Sequence, residues 1–522
     1  MRDQNLNLRD LIRRAAEKYP DSEAIVDSIS RYSYAELLHQ VQAMAKLLHS
    51  LAVRKGDRVA LLMPPSTSHV IALFGAIELG AIPVALHVRE SEAVLLALSE
   101  RISPRVLVYD GAFEQKAHSL RQNSLWITAE VRAVSGITPE NAQADADGPV
   151  IPRDLGNYAL DIEPMPVALD DAAVIVLSSG TTGIPKGVIH THRTLVASAR
   201  CGSPYMSAHA RASGINTFTT AFIGWYNCTL PFLYSAAKIV YLSQWDPLAC
   251  LRAIEAEKVT VCFLVPTMWR MLVREHPQNH DLSSLERVGY AGEPMDTATM
   301  AQIRSRVCAS IINTYGTTET GSWGGCTVML PEDYVNDDKI ESVGKPGREV
   351  EIRVIRLGGA VDDVVPAGEQ GEVIFSGPSV AHQLWEQQAL GRRIFAGRWW
   401  RSGDMGTLDE DGYLYLQGRI DDMIISGGIN VFPSQIEDAV LSHPGVSECV
   451  VIGLPSEQWG QQITAFVVCA AEVSADELIE HVNKTALSRY KRPREYRFVK
   501  ELPRGNTGKV NRGLLRDQVV NS

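Results

Sequence analysis

Apolar runs of strand length alternate with segments of helical period along most of this 522-residue chain. Asp57–Leu62 precedes a helical pattern at Ser68–Leu79, Lys238–Leu242 precedes Pro247–Glu257, and Val261–Val265 precedes Thr267–Arg274. A continuous apolar strand is buried on both faces, and a parallel neighbour can be reached only through a crossover, usually a helix. The alternation therefore predicts an α/β fold with helices packed on mostly parallel sheets. Met1–Tyr19 reads as a charged amphipathic helix burying Leu8, Leu11, Ile12 and Ala15. The longest apolar stretch, Val70–Val88, contains Glu78 and Pro83, so it reads as a core helix followed by a strand, with no integral membrane segment.

After about Ser342 the texture changes. Strand patterns with turn signals at Glu349–Ile355, Gly371–Ser376 and Gly412–Leu416 predict a small barrel-like subdomain. From Gly418 onward a helix at Pro433–Leu441, strands at Ser447–Ile452 and Thr464–Cys469, and a helix at Ser474–Leu487 suit a small α+β domain. Glu140–Gly148 reads as an acidic surface loop. A net charge of −11 argues against nucleic acid as a partner. Eight scattered cysteines without a Cys-x-x-Cys pair suit a reducing cytoplasm and neither disulfides nor zinc.

The strand-like run Ala172–Leu177 leads into Ser178-Ser179-Gly180-Thr181-Thr182-Gly183-Ile184-Pro185-Lys186-Gly187. Glycines let backbone N–H groups approach an oxyanion, and the hydroxyls and Lys186 add donors and charge, which suits a polyphosphate. The spacing is not that of a Walker loop, because Lys186 is followed by Gly187 rather than Ser or Thr. Other polar clusters recur. Tyr315-Gly316-Thr317-Thr318-Glu319 follows an apolar run, and its carboxylate could hold a hard cation or cap a helix. Gly292-Glu293-Pro294 is a turn of small residues, and Asp404 sits on a glycine turn where a carboxylate can accept from a diol. Arg419–Asp422 carries charge at the change of texture, beside Gly427-Gly428. Lys509 lies on a glycine-bearing C-terminal loop. There is no Gly-x-Ser-x-Gly and no His-Glu-x-x-His, which removes the common serine hydrolase and zinc enzyme signatures.

In this order, from about Leu8 to Val510, the clusters resemble the acyl-adenylate-forming superfamily of AMP-binding enzymes, in particular bacterial acyl- and aryl-CoA ligases. The resemblance implies a large N-terminal part, 1–420, with two mostly parallel sheets and the barrel-like subdomain, and a mobile C-terminal domain, 421–522. It implies ATP, Mg2+ and CoA, with a small carboxylic acid as the other substrate. The loop 178–187 would cover the β- and γ-phosphates. Thr318 would touch the α-phosphate and Glu319 would bind magnesium. Gly292, Glu293, Pro294 and Tyr315 would flank adenine, and Asp404 and Arg419 would hold the ribose. Lys509 matches the catalytic lysine and Asp421 the hinge. Gly427 and Gly428 would reach the thiol tunnel, and Trp459, Tyr490, Arg492 and Arg494 would bind the CoA nucleotide. A homodimer is also implied.

The acid pocket should be lined by Ile223, Trp225, Tyr226, Ala291, Gly316, Ser322 and Trp323. Ile223 stands where many members have histidine, Ile429 where glutamate is common, and Gln435 likewise. No acidic residue there would grip an amino group, so the expected acid is bulky and apolar: aryl, alicyclic or medium-chain. Two alternatives stay open at this level: loading of a carrier-protein thiol, and a non-catalytic acid-binding homologue.

Overall fold

The computed structural model describes residues 6–133, 150–151, 165–178, 184–335, 339–504 and 510–520. The expected loop at Glu140–Gly148, the segment Ser179–Gly183 and Lys509 lie outside them. The chain divides into two compact units, one comprising Met1–Ile352 and Phe375–Trp400, the other Arg353–Ile374 and Arg401–Ser522.

The first unit holds the two α/β sheets that the alternation predicts. One has nine strands, of which Ser213–Asn216, Val261–Leu264, Arg287–Ala291 and Ile311–Tyr315 run parallel and side by side. The other has five parallel strands, with Arg58–Leu62 paired to both Ile82–Ala85 and Pro104–Asp110. A third, antiparallel sheet is built on the hairpin Ala172–Ser178 and Lys186–Thr191.

Local chemistry sets the helix limits. The helix Thr67–Glu78 starts one residue before the expected Ser68, because the Ser66 hydroxyl accepts from His69 N at 3.2 Å. The helix Tyr34–Ser50 opens on a reciprocal cap between Ser33 and Glu36, a device worth about 1 kcal/mol. These two helices pack closely at Gly75, where a Cβ would stand 2.5 Å from Met44 Cγ. Their apolar faces join the N-terminal helix Asp10–Lys18 in one core through Leu11, Ile12, Ala15, Leu37 and Leu73. The expected helix at Thr267–Arg274 runs from Pro266 to Leu272, with proline at the first position where its missing N–H costs nothing.

In the second unit one small sheet contains 353–355, 371–374, 401–408 and Leu414–Arg419, in that order. The other is built on the long antiparallel pair Val446–Ser456 and Gly460–Cys469. Side chains alternate across that pair as the strand period requires. Val451, Ile463, Ala465 and Val467 meet the helices Pro433–Leu441 and Ala475–Lys484 through Ile436, Val440, Leu478 and Val482. Val450, Ile452 and Phe466 point the other way and meet Leu502 and Leu515. The second of these helices stops at Lys484, short of the expected Leu487, because Thr485 is extended and its hydroxyl donates to the Val482 carbonyl.

Four histidines of the first unit, His69, His87, His190 and His192, are buried. Burial pushes His69 down to about 3 and the other three to about 4. All four are neutral at pH 7, and His192 Nδ1 accepts from Leu8 N at 3.2 Å. The unfolded chain takes up these protons near pH 6.5 and the native state near 4. Their contribution is therefore present above pH 6.5 and is lost as the pH falls toward 4, by at most about 1.4 kcal/mol per histidine per pH unit. Asp110 opposes this in part, since burial raises its carboxyl to about 6 and favours the protonated native form. Denaturant unfolding at pH 7 and pH 5 is expected to show a loss of several kcal/mol on acidification; equal stability at both values would contradict the burial of these rings.

Candidate active site

The parallel strands of the nine-stranded sheet end together. Asn216, Leu264, Ala291 and Tyr315 are their carboxyl-terminal residues or stand beside them in register. Ligands of open α/β sheets bind outside this edge. The loops that leave it carry Ile223, Gly292-Glu293-Pro294, and Gly316 to Glu319. Three expected site segments, far apart in sequence, thus share one sheet edge.

On that edge Tyr315 packs against Phe375 with ring centroids 5.7 Å apart. Gly292 has φ +90° and open space where a Cβ would be, so the backbone there can lie against a flat ligand. Glu293 is held to one side by the Thr267 hydroxyl at 3.2 Å and by Arg270 at 3.7 Å.

The expected phosphate loop leaves the sheet at Ser178, which pairs in register with Lys186 across the hairpin. Ser178 Oγ and Thr317 Oγ1 are buried and have no protein partner among the described residues. Buried hydroxyls without partners are costly, and ligand oxygens can satisfy them. Glu319 is half-buried, and no described residue bonds its carboxylate. Its carbonyl accepts from Ala381 N at 2.8 Å, which fixes the backbone. Magnesium is bound through one or two carboxylates together with substrate phosphates. Glu319, a carboxylate with no partner among the described residues and two positions from the orphan Thr317 hydroxyl, fits that donor set.

Sequence reasoning missed His190. Its Nε2 lies 2.9 Å from the Thr318 carbonyl and its Nδ1 3.3 Å from Thr194 Oγ1, so one buried ring ties the hairpin to the Thr318 loop. It also missed Ser379, whose hydroxyl donates to the Thr320 carbonyl at 2.7 Å. A Cβ on Gly321 would lie 2.3 Å from the Ser379 carbonyl, and Gly321 and Ser322 both have positive φ, so only a glycine fits the first position. A His-Thr-His triplet at 190–192 was the available signal for the first; nothing local marks the second.

Three of the seven residues expected around the acid are buried aromatics. Trp323 lies against Gly202, stacks on Tyr205 at 5.8 Å, meets Phe263 edge-on at 5.9 Å, and donates to the Asn227 carbonyl at 3.0 Å. Trp225 and Tyr226 sit on the short helix Ile223–Asn227 and are fully buried, while Ile223 is half-buried at its start. Gly316 is exposed and a Cβ there would touch Cys326 Cβ at 3.1 Å.

The second unit holds the remaining expected residues in two groups. Asp404 and Arg419 are direct partners across an antiparallel pair, with Arg419 Nη1 3.1 Å from Asp404 Oδ1. Ser402 supports both, its hydroxyl accepting from Asp404 N at 2.8 Å and its carbonyl accepting from Arg419 at 3.0 Å. Asp421 follows in an exposed turn. The second group is a stack. Gly427 and Gly428 form the two-residue turn of the hairpin Ile424–Ser426 and Ile429–Val431, with φ of +60° and +80°, as such turns require. Trp459 lies against Gly427, and the Arg494 guanidinium covers its ring at 4.0 Å. Tyr490 is exposed beside Lys491, which donates to Gln435 Oε1 at 2.6 Å. Arg492 is turned to the Leu487 carbonyl and Asn483 Oδ1.

Fold and edge loops together suit an enzyme that binds a nucleotide at the carboxyl edge of its parallel sheet. A model of the AMP-binding enzyme family matches residues 12–385, and one of the AMP-binding enzyme C-terminal domain matches 435–509; the chain belongs to this family. It is 32% identical over 516 residues to a feruloyl-CoA synthase of Amycolatopsis, covering 96% of this chain and 97% of that one. It is 29% identical to a long-chain-fatty-acid–CoA ligase of Mycobacterium tuberculosis, covering 98% of each. The o-succinylbenzoate CoA synthetase of Bacillus subtilis, solved with its acyl-adenylate intermediate, superposes with a TM-score of 0.84 at 26% identity over 98% of both chains. Among the described residues no helix is long and apolar enough to cross a membrane.

Proposed function

We propose that this enzyme activates a bulky, largely apolar carboxylic acid with ATP and passes the acyl group to CoA, releasing AMP and pyrophosphate. The convergence of Ile223, Ala291–Pro294 and Tyr315–Glu319 on one carboxyl edge of the parallel sheet carries this reading. The aryl and long-chain acids in the names of the relatives support the substrate class.

In the first step the acid's carboxylate attacks the α-phosphorus and pyrophosphate leaves. Both reactants are anionic, so positive charge at the phosphates lowers the barrier; magnesium, when bound at Glu319, supplies part of it. The hydroxyls of Ser178 to Thr182 and the ammonium of Lys186 hold the leaving pyrophosphate, and Thr318 positions the α-phosphate. Gly292-Glu293-Pro294 and Tyr315 bound the adenine, Asp404 and Arg419 the ribose, and Lys509 bridges carboxylate and α-phosphate. In the second step the CoA thiol attacks the acyl carbon and AMP leaves. Gly427 and Gly428 let the pantetheine arm pass, and the Trp459–Arg494 stack with Tyr490 and Arg492 receives the nucleotide end. The change between steps is a rotation about Asp421, so that 1–420 and 421–522 act as the moving parts. The enzyme works in the cytoplasm, which suits its eight unpaired cysteines, and as a homodimer.

A panel of aryl, alicyclic and medium-chain acids, assayed for AMP release with and without CoA, tests the reading. Acid-dependent release that saturates with free CoA is expected, and release indifferent to the acid would sink it. Dependence on a carrier protein in place of CoA would redirect the second step. Asp421→Pro fixes φ at the hinge and is expected to slow thioester formation more than adenylation; equal slowing of both would count against the hinge.

A further inference from the structure

Among the described Tyr, Trp and His side chains of the first unit, the buried polar tips are paired everywhere but in one place. Tyr34 Oη donates to the Ala237 carbonyl at 2.7 Å, Tyr241 Oη lies 3.2 Å from Thr229 Oγ1, and Trp269 Nε1 donates to the Gly289 carbonyl at 2.9 Å. The exception is a cluster around the helix Ile223–Asn227. Both ring nitrogens of His69, Trp225 Nε1, Tyr226 Oη and Asn227 Oδ1 are buried without a hydrogen-bond partner among the described residues. They lie close together. The Trp225 ring meets His69 edge-on at 4.8 Å and Tyr226 edge-on at 5.1 Å, and His69, Trp225 and Tyr226 are at most 1% exposed. His69 comes from the helix Thr67–Glu78, outside every segment expected to line the acid pocket.

Each such group left unpaired in an apolar interior costs free energy. Four adjacent residues in that condition are a recognition surface or a flaw. Their chemistry is specific. The buried His69 ring is neutral at pH 7, offering one donor and one acceptor, and its pKa is lowered by burial alone. Trp225 adds a donor, Tyr226 a donor and acceptor, and Asn227 an acceptor. None carries charge, so a second carboxylate or an ammonium would find no counter-ion among them. Trp323, which donates to the Asn227 carbonyl, joins the cluster to the aromatic wall of the acid pocket.

We propose that His69, Trp225, Tyr226 and Asn227 form the distal end of the acid pocket and select acids bearing an uncharged hydroxyl or carbonyl group remote from the carboxylate, a proposal that rests on the acid-activating reading above. The apolar wall holds the body of the acid, and the cluster reads its far end.

Matched pairs test it: 3-phenylpropanoate against 3-(4-hydroxyphenyl)propanoate, cyclohexanecarboxylate against its 4-hydroxy form, and octanoate against 8-hydroxyoctanoate, each by acid-dependent AMP release. The intact enzyme is expected to favour the hydroxylated member of at least one pair by about tenfold or more in kcat/KM. Tyr226→Phe, which removes one oxygen, and separately His69→Leu should each bring that ratio toward one. Because the ratio is taken within one variant, a general loss of activity cancels. The melting temperature of Tyr226→Phe should hold or rise, since an unpaired hydroxyl is removed. Activation of the pairs without preference, or a preference untouched by either variant, overturns the proposal and means that the cluster binds buried water only. Failure of every acid to release AMP overturns the ligase reading itself.

Discussion

Lys509→Ala is expected to lower acid-dependent pyrophosphate release by about 10²–10³-fold, the usual cost of removing a charge-stabilising group from a transition state. The same variant should still convert supplied acyl-AMP and CoA to the thioester. The asymmetry follows from the chemistry. Only the first step brings a carboxylate against a phosphate, and only there does a bridging ammonium offset repulsion between the two reactants. The second step attacks an acyl carbon whose leaving group is already made. Separate assays of pyrophosphate release and thioester formation check this, and unchanged pyrophosphate release would remove Lys509 from the adenylation step.

Asp404→Ala is expected to raise the KM for ATP by about 10–100-fold, the range for hydrogen bonds to a charged group. Asp404 is 7% exposed, and its carboxylate faces Arg419 directly across a strand pair. A buried carboxylate so placed can accept from two neighbouring hydroxyls while the arginine holds it in position. Asp404→Asn keeps the shape and removes the charge, so it should lose less than alanine does. Binding of AMP by calorimetry gives the same quantity without turnover. A fall in melting temperature with unchanged nucleotide affinity would make the pair a structural bond only.

Much of the fold was legible because strands and helices announce themselves locally. Pro247–Glu257 and Pro433–Leu441 were expected within the bounds they have, since proline and the apolar period mark both ends. What was not legible depends on contacts between distant residues. His190 meets Thr318 across 128 positions of sequence, and no spacing rule links them. Asp404 and Arg419 could be named from their motifs, but that they stand opposite each other is a matter of strand register. His69 reads as an ordinary core position on an apolar helix, and only the missing partners of its two nitrogens single it out.

The interleaving of the chain between the two compact units bears on how the protein can be cut and recombined. Residues 353–374 belong with the C-terminal part, and the chain then returns to the first unit for 375–400. A single crossover between two such chains, placed after 352, strips the first unit of its last strand segments; placed after 400, it carries part of the second unit along. A chimera that keeps both units whole needs three junctions, and a truncated fragment ending at residue 352 lacks Phe375, the ring packed on Tyr315.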